Sequence, residues 1–223
     1  MEKLWEFFPC FIFAAFAFLA VFGIAWSIWS EKKRTEAMTQ AANDLGLPFF
    51  PTGDPSLINE LSHFKLFSQG RSRTISNMIH GDTAAVTVGI FDYKYVTGSG
   101  KNRTTHVQTV ISFESSALDL PQFLVRPEHL FDKIGGVLGF KDIDFETHPA
   151  FSKSYMLQGS EEERIRETFT PELLSFFETM SGITVEGAGN RLVYFRSRKR
   201  MKPQETRKFM EEGFKIYAQF KSE

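Results

Sequence analysis

The chain has a single cysteine, Cys10, among 223 residues. No internal disulfide can form, which suits a reducing compartment, and thiol catalysis is excluded from everything beyond position 10. Histidine is sparse and scattered: His63, His80, His106, His129 and His148 show neither H-x-x-x-H nor H-E-x-x-H spacing. His80 and His106 fall on strands that can neighbour each other, so a two-histidine arrangement stands beside the plainer reading of two hydrogen-bonded structural residues. There is no G-x-S-x-G elbow, no internal repeat and no low-complexity tract. Net charge is missing too. Beyond residue 30 acids and bases balance at 25 each, so the domain lacks the positive field that general nucleic-acid binding requires.

Charge is absent altogether from Phe7 to Ser30. The run FFPCFIFAAFAFLAVFGIAWSIW is about 23 residues, enough to cross a hydrocarbon layer of roughly 30 Å as a helix. Trp5 at one end and Trp26 and Trp29 at the other match the two interfacial belts. A cleaved signal with Ala25-Trp26-Ser27 as its site is the competing reading; the apolar run is longer than a signal core, and Lys3 sits between Glu2 and Glu6 where a positive end is needed. The flanks set the orientation. Lys32, Lys33 and Arg34 follow the span with only Glu31 against them, so the positive-inside bias places the N-terminus outside and the C-terminal domain in the cytoplasm. The expected organisation is a transmembrane anchor over 1–30, a juxtamembrane helical stalk over 31–47 and one domain over 48–223.

In the stalk, Ala37, Ala41, Ala42 and Leu45 share a helical face, and Gly46 is placed to end it. Asp54-Pro55 opens a short helix to about Leu61. RTISNMIHG, TAAVTVGIFDYKYVTG and RTTHVQTVISFES then predict three antiparallel strands. In the second, Val86, Val88, Ile90, Asp92 and Lys94 fall on one face and Thr87, Gly89, Phe91, Tyr93 and Tyr95 on the other, so the strand buries both faces over part of its length. PEHLFDKIGGVLG predicts a helix opened by Pro127, DIDFE and FSKSYMLQG predict strands, and Ser160 with Glu163 forms a capping box for the next helix. Thr170-Pro171 caps a helix carrying Leu173, Leu174, Phe177 and Met180. ITVEGAGNRLVYFRSR reads as a hairpin turning at Gly187–Asn190, and Pro203 opens a last helix with Phe209, Gly213, Ile216, Tyr217 and Phe220 on one stripe. Strands and helices mix without steady βαβ alternation, which predicts an α+β fold with a largely antiparallel sheet and flanking helices.

Gly98-Ser99-Gly100-Lys101 has the look of a phosphate-binding loop, but the position five before Gly100 is Tyr95, Asn102 follows Lys101, and the chain returns to a strand where a P-loop starts a helix. It is a hairpin turn whose Lys101 and Arg103 are free to meet a partner. Asp142, Asp144, Glu146 and His148 alternate as ionisable groups, yet alternate strand residues are about 7 Å apart and seldom converge on one ion, so a solvated face is the simpler account. No catalytic residue, cofactor or metal ligand is assigned. The densest charge is Arg196-Ser197-Arg198-Lys199-Arg200-Met201-Lys202. Arg196, Arg198, Lys199, Arg200 and Lys202, with Lys32, Lys33 and Arg34, are the candidate contacts to anionic lipid; the plain alternative is a solvated turn.

FDYKYVTGSG, QTVISF, DIDFETHPAFSKSYMLQG and EEERIRETFTPELLSFF resemble a group of uncharacterised bacterial proteins with an N-terminal membrane helix and a soluble α+β domain. The resemblance implies a single-pass bacterial membrane protein and supplies no catalytic residues. The expected function is a membrane-anchored module that binds protein or lipid; the alternative is an enzyme whose site is assembled from long-range contacts.

Overall fold

The computed structural model describes residues 8–128 and 142–221; the side chains of 8–17 and 20 are not among them. Helix α1 (Phe8–Leu45) runs unbroken for 38 residues and ends at Gly46, whose φ of +69° suits glycine alone without strain. Among the described residues no helix is long and apolar enough to cross a membrane. Of the span expected at 7–29, the side chains of 7–17 and 20 lie outside that description. From Phe18 to Trp29 the described apolar side chains of α1 stand exposed, with the rings of Phe18, Phe22 and Trp26 stacked in file.

The domain is an eight-stranded, wholly antiparallel sheet with flanking helices, an α+β fold. Its strands are β1 (Phe49–Phe50), β2 (Arg71–Asp82), β3 (Thr87–Thr97), β4 (Thr104–Glu114), β5 (Leu120–Pro127), β6 (Tyr155–Gly159), β7 (Thr184–Gly189) and β8 (Arg191–Phe195). Their order in space is β1-β2-β3-β4-β8-β7-β5-β6. Helices α2 (Ser56–Glu60), α3 (Lys65–Ser68), α4 (Pro149–Ser154), α5 (Glu162–Thr168), α6 (Pro171–Glu178) and α7 (Thr206–Phe220) complete it.

Both faces of the sheet are covered, and β3 shows why its sequence is apolar on both sides. Val88 and Ile90 join the larger core, built with Met38 and Ala42 of α1, Phe177 of α6 and the full α7 stripe of Phe209, Ile216, Tyr217 and Phe220. Phe91, Tyr93 and Tyr95 join the second core with Leu61, Phe64 and Phe67 from the α2–α3 segment. Gly213 lets α7 approach β4: a Cβ there would lie 2.8 Å from Ile111 Cδ1 and 3.2 Å from Phe113 Cζ. Thr170 caps α6 through a bond from the Leu173 amide (3.4 Å).

The helix expected over 31–47 does run on from the apolar segment and ends at Leu45, with the addition that Met38 and Ala42 are fully buried, so it packs on the domain. Several expectations need correction. Asp142–Glu146 is a loop, not a strand: Ile143 donates to the Leu157 carbonyl (2.8 Å) and the Asp142 carboxylate takes the Leu157 amide (2.8 Å), so a side chain stands where a ladder bond would be. Phe151–Ser154 belongs to α4, started by Pro149, and the strand begins only at Tyr155. The Ser160–Glu163 box does not form, because α5 starts at Glu162 with Glu161 at the cap and no side-chain cap bond. The sequence reading missed β5, interrupted by Pro121. Pairing with β7 shifts register between Leu120 and Phe123, and a proline at such an irregularity needs no ladder bond. Of the helix expected over 127–139, residues 129–139 lie outside the described residues; Pro127 itself closes β5.

Candidate functional site

Glu31, Arg34, Thr35, Met38 and Ala42 recur at three- and four-residue spacing and so form one stripe of α1. The apolar end of the stripe enters the core, and the polar end meets Asp92, which is 2% exposed in the middle of β3. Arg34 grips Asp92 with Nε to Oδ2 (2.7 Å) and Nη2 to Oδ1 (2.7 Å) while Nη1 donates to the Met201 carbonyl (2.8 Å). Arg200 bridges outward, with Nη2 on Asp92 Oδ2 (3.0 Å) and a two-pronged pair to Glu31 (2.6 and 2.8 Å). Asn77 Nδ2 and Thr109 Oγ1 also donate to Asp92 (3.0 and 2.9 Å), and Thr35 Oγ1 donates to Asn77 Oδ1 (2.8 Å). Two cations and two anions cancel. Burial pushes the Asp92 carboxyl up, but the hydrogen bond and charge of Arg34, the charge of Arg200 and the Asn77 amide together hold it below the usual carboxylate range. The bond from Arg200 does the same for Glu31 against its partial burial.

This network decides how the predicted basic residues are used. Arg34 and Arg200 are turned into the domain, and Arg196 is held by Glu212 in a two-pronged pair (2.9 and 2.7 Å) beside the Tyr194 hydroxyl. Their cationic groups neutralise protein carboxylates. Lys32, Lys33, Arg198, Lys199 and Lys202 are exposed, with Lys33 Nζ 4.0 Å over the Trp29 ring. All eight nonetheless belong to one neighbourhood, because Arg200 touches Glu31 and Arg34 touches Met201.

Strand direction extends that neighbourhood. Leu47 lies over Gly81 and Val88, whereas Arg34 lies on Asp92, so moving toward the N-terminus of α1 means moving toward Thr97 along β3. The β3–β4 turn, the start of β2 and the β8–α7 connection therefore lie at the end from which the apolar part of α1 departs. Exposed bases collect there: Arg71, Lys94, Lys101, Arg103, Arg198, Lys199 and Lys202. The opposite end carries Asp82, Asp119 and Glu161–Glu163, with Arg164 and Arg191 paired to carboxylates. The bases cluster on the β2–β4 side of their end, while exposed Asp142, Asp144 and Glu146 lie at the same end of the sheet beside β5 and β6. The sequence conceals this grouping, since strand pairing alone brings Arg71 to the same end as the β3–β4 turn.

At the acidic end a cleft of about 450 Å³ opens between the 50–61 segment and the sheet. Gly89 and Ser112 form its floor, Leu57, Leu61 and Met78 its walls, and Arg191, bridged to Glu60 and Glu114 (2.8 Å each), its rim. A Cβ at Gly89 would press on Ser112 Oγ at 3.1 Å. Nearby in the second core, Glu186 is buried and accepts the amides of Lys65 and Leu66; burial pushes its carboxyl up to about 7 against those bonds. His80 and His106 do not converge: one ring lies by Phe50, and the other stacks on Tyr95 at 4.6 Å and bonds Thr97 (2.7 Å). Gly98-Ser99-Gly100-Lys101 is the β3–β4 turn, with a single 3₁₀ turn over Gly100–Asn102. No group of three metal-ligating side chains exists among the described residues.

No protein-family model matches the chain, and a search of curated proteins returned no match. Among solved structures it is similar to the crystal structure of the mycobacterial trehalose monomycolate transport factor A, TtfA. The identity is 15%, the TM-score 0.59, and the match covers 83% of this chain and 91% of that one. At that identity the likeness is one of fold: the chain shares the architecture of TtfA over most of the length of both.

Proposed function

We propose that the chain is a single-pass membrane protein, N-terminus out, whose cytoplasmic domain is an interaction module held with its basic end against the inner leaflet. The carrying observation is the Glu31–Arg34–Asp92–Arg200 network. It fixes the domain to α1 within about 8 Å of Trp29, counting five residues at about 1.5 Å each, with no flexible linker between. A tether that only had to retain the domain would need no such fixture; an orientation does. Lys32, Lys33, Arg198, Lys199 and Lys202 then face anionic headgroups, each worth about 1 kcal/mol near the surface and screened beyond a Debye length of about 8 Å. The domain then turns Asp82, Asp119 and its apolar-walled cleft away from the bilayer, toward a protein or lipid partner. The neighbour of like fold is named for trehalose monomycolate transport, which favours a lipid-linked role over a soluble one.

The test is topological. The chain should resist alkaline carbonate extraction, and a reporter that works only in the cytoplasm should be active when fused at Glu223. Release by carbonate, or activity of a periplasm-dependent reporter at that position, contradicts the reading.

A further inference from the structure

Half of β4 has no strand beside it. β8 pairs with β4 only over Val110–Glu114, so Thr104–Thr109 have β3 on one side and an open edge on the other. The β8–α7 connection covers part of that edge: the Thr109 amide donates to the Lys199 carbonyl (3.2 Å), and the Arg198 amide donates to Gln108 Oε1 (3.3 Å). Backbone direction alternates along a strand, so the amides of Val107 and Thr105 point the same way as that of Thr109. They face a groove of about 440 Å³ lined by Thr104, Thr105, His106, Val107, Arg198 and Arg200.

The charge balance of this groove is one-sided. Arg200 is held in place by Glu31 and Asp92, and its buried Nε has no hydrogen-bond partner. Arg198 is exposed, with no ion pair among the described residues, and its φ of +59° is a conformation a non-glycine residue adopts at a cost of about 1 kcal/mol or more. Its charge is felt on the strand: after burial, it is what holds the His106 imidazole below its ordinary range, leaving that ring neutral at pH 7. No carboxylate lines the groove.

We propose that this groove is a binding site for a phosphate group carried by an anionic lipid headgroup. Arg198 supplies the charge and a planar fork of donors, and the Thr104 hydroxyl on the same face as Gln108 and His106, with the strand-edge amides of Thr105 and Val107, completes the set. A lipid is the favoured source because Arg200 on the groove's lining pairs with Glu31, which precedes Lys32 and Lys33 at the end of the domain that α1 leaves. The inference rests on the orientation proposed above and turns a diffuse attraction into a discrete site.

The full-length chain in neutral detergent is titrated with short-chain phosphatidic acid and, separately, with inorganic phosphate, following the amide resonances of Thr105 and Val107. The lipid should shift both amides and bind more tightly than inorganic phosphate. Arg198→Gln should weaken lipid binding tenfold or more, about 1.4 kcal/mol, whereas Lys199→Gln, with the same charge change on the adjacent residue, should weaken it less than threefold; Arg198→Lys should keep part of the binding and thereby show that substitution at 198 leaves the fold intact. Equal losses for Arg198→Gln and Lys199→Gln, or no response to either probe, overturn the site. Inorganic phosphate binding as tightly as the lipid overturns the lipid assignment. Carbonate extraction and the reporter do not depend on Arg198, so failure of the groove leaves the tether standing, and a failed tether leaves an Arg198-dependent phosphate shift intact.

Discussion

Asp92→Asn isolates the fixture between α1 and the domain. Asp92 accepts from Arg34 Nε and Nη2, Arg200 Nη2, Asn77 Nδ2 and Thr109 Oγ1. The new amide does least harm with its nitrogen at the Oδ1 position, where it can donate to Thr109 but faces Arg34 Nη2, a second donor. One charge-assisted bond is lost, worth about 1.5–3 kcal/mol, and Glu31 is left to balance two partly buried guanidinium groups. Removing one partner from a buried ion pair costs about 3–5 kcal/mol, and that range is expected here. Deleting both charges with Asp92→Leu and Arg34→Met leaves the Arg200–Glu31 pair intact. The double variant should lose at least about 1 kcal/mol less than the two single losses combined, a coupling within the 0.5–3 kcal/mol seen for contacting residues. The assay is denaturant unfolding of the full chain in nanodiscs, read by near-UV circular dichroism of tyrosine. All five tyrosines lie between positions 93 and 217 and all three tryptophans at 5, 26 and 29, so the domain reports separately from the N-terminal apolar segment. A loss under 1 kcal/mol for Asp92→Asn, or additive losses in the double variant, would refute the claim that this network fixes the domain to α1.

Glu186 has a folded-state carboxyl raised to about 7 by burial, so it keeps its proton in the folded chain where the unfolded chain has lost it. The sign follows from linkage: stability contributed by this group is present below the unfolded value and declines as pH rises toward 7, by at most about 3 kcal/mol. Glu186→Gln should flatten the dependence between pH 5 and 7.5, measured by thermal unfolding; an unchanged slope counts against it. Asp92 works in the opposite direction, its depressed carboxyl stabilising above the ordinary carboxylate value and losing that contribution as pH falls below it. Gly213→Val should destabilise by about 1–3 kcal/mol through overpacking against Ile111 and Phe113, and a variant as stable as the parent would show that α7 can move away. Thr170→Ala should cost about 1 kcal/mol by exposing the start of α6, checked by the same unfolding curve.

What the sequence made legible was local. The α7 stripe, the three long strands and the two-sided burial of β3 all follow from side-chain period, which two or three residues suffice to express. β5 was hidden because Pro121 interrupts its run, and its tolerance of proline comes from the register shift with β7, which no local pattern encodes. The site behaves likewise. Eight basic residues were visible as a charge run and a flank, but that Arg34, Arg196 and Arg200 neutralise Asp92, Glu212 and Glu31 depends on partners up to 169 positions away. Arg71 and the open edge of β4 gave no signal at all, because their places in the sheet are set by strand order.

The central claim is that the basic end of the domain faces the bilayer, and depth-dependent fluorescence quenching tests it most directly. In a Cys10→Ser background, a dye is attached through Lys202→Cys in one variant and Asp119→Cys in another, and the full chain is placed in vesicles containing anionic lipid and headgroup-labelled nitroxide lipid. The account predicts strong quenching at position 202 and little at 119, with the difference largely kept at high salt because the ion-pair network, rather than the exposed lysines, sets the orientation. Equal quenching at the two positions, or stronger quenching at 119, would contradict it.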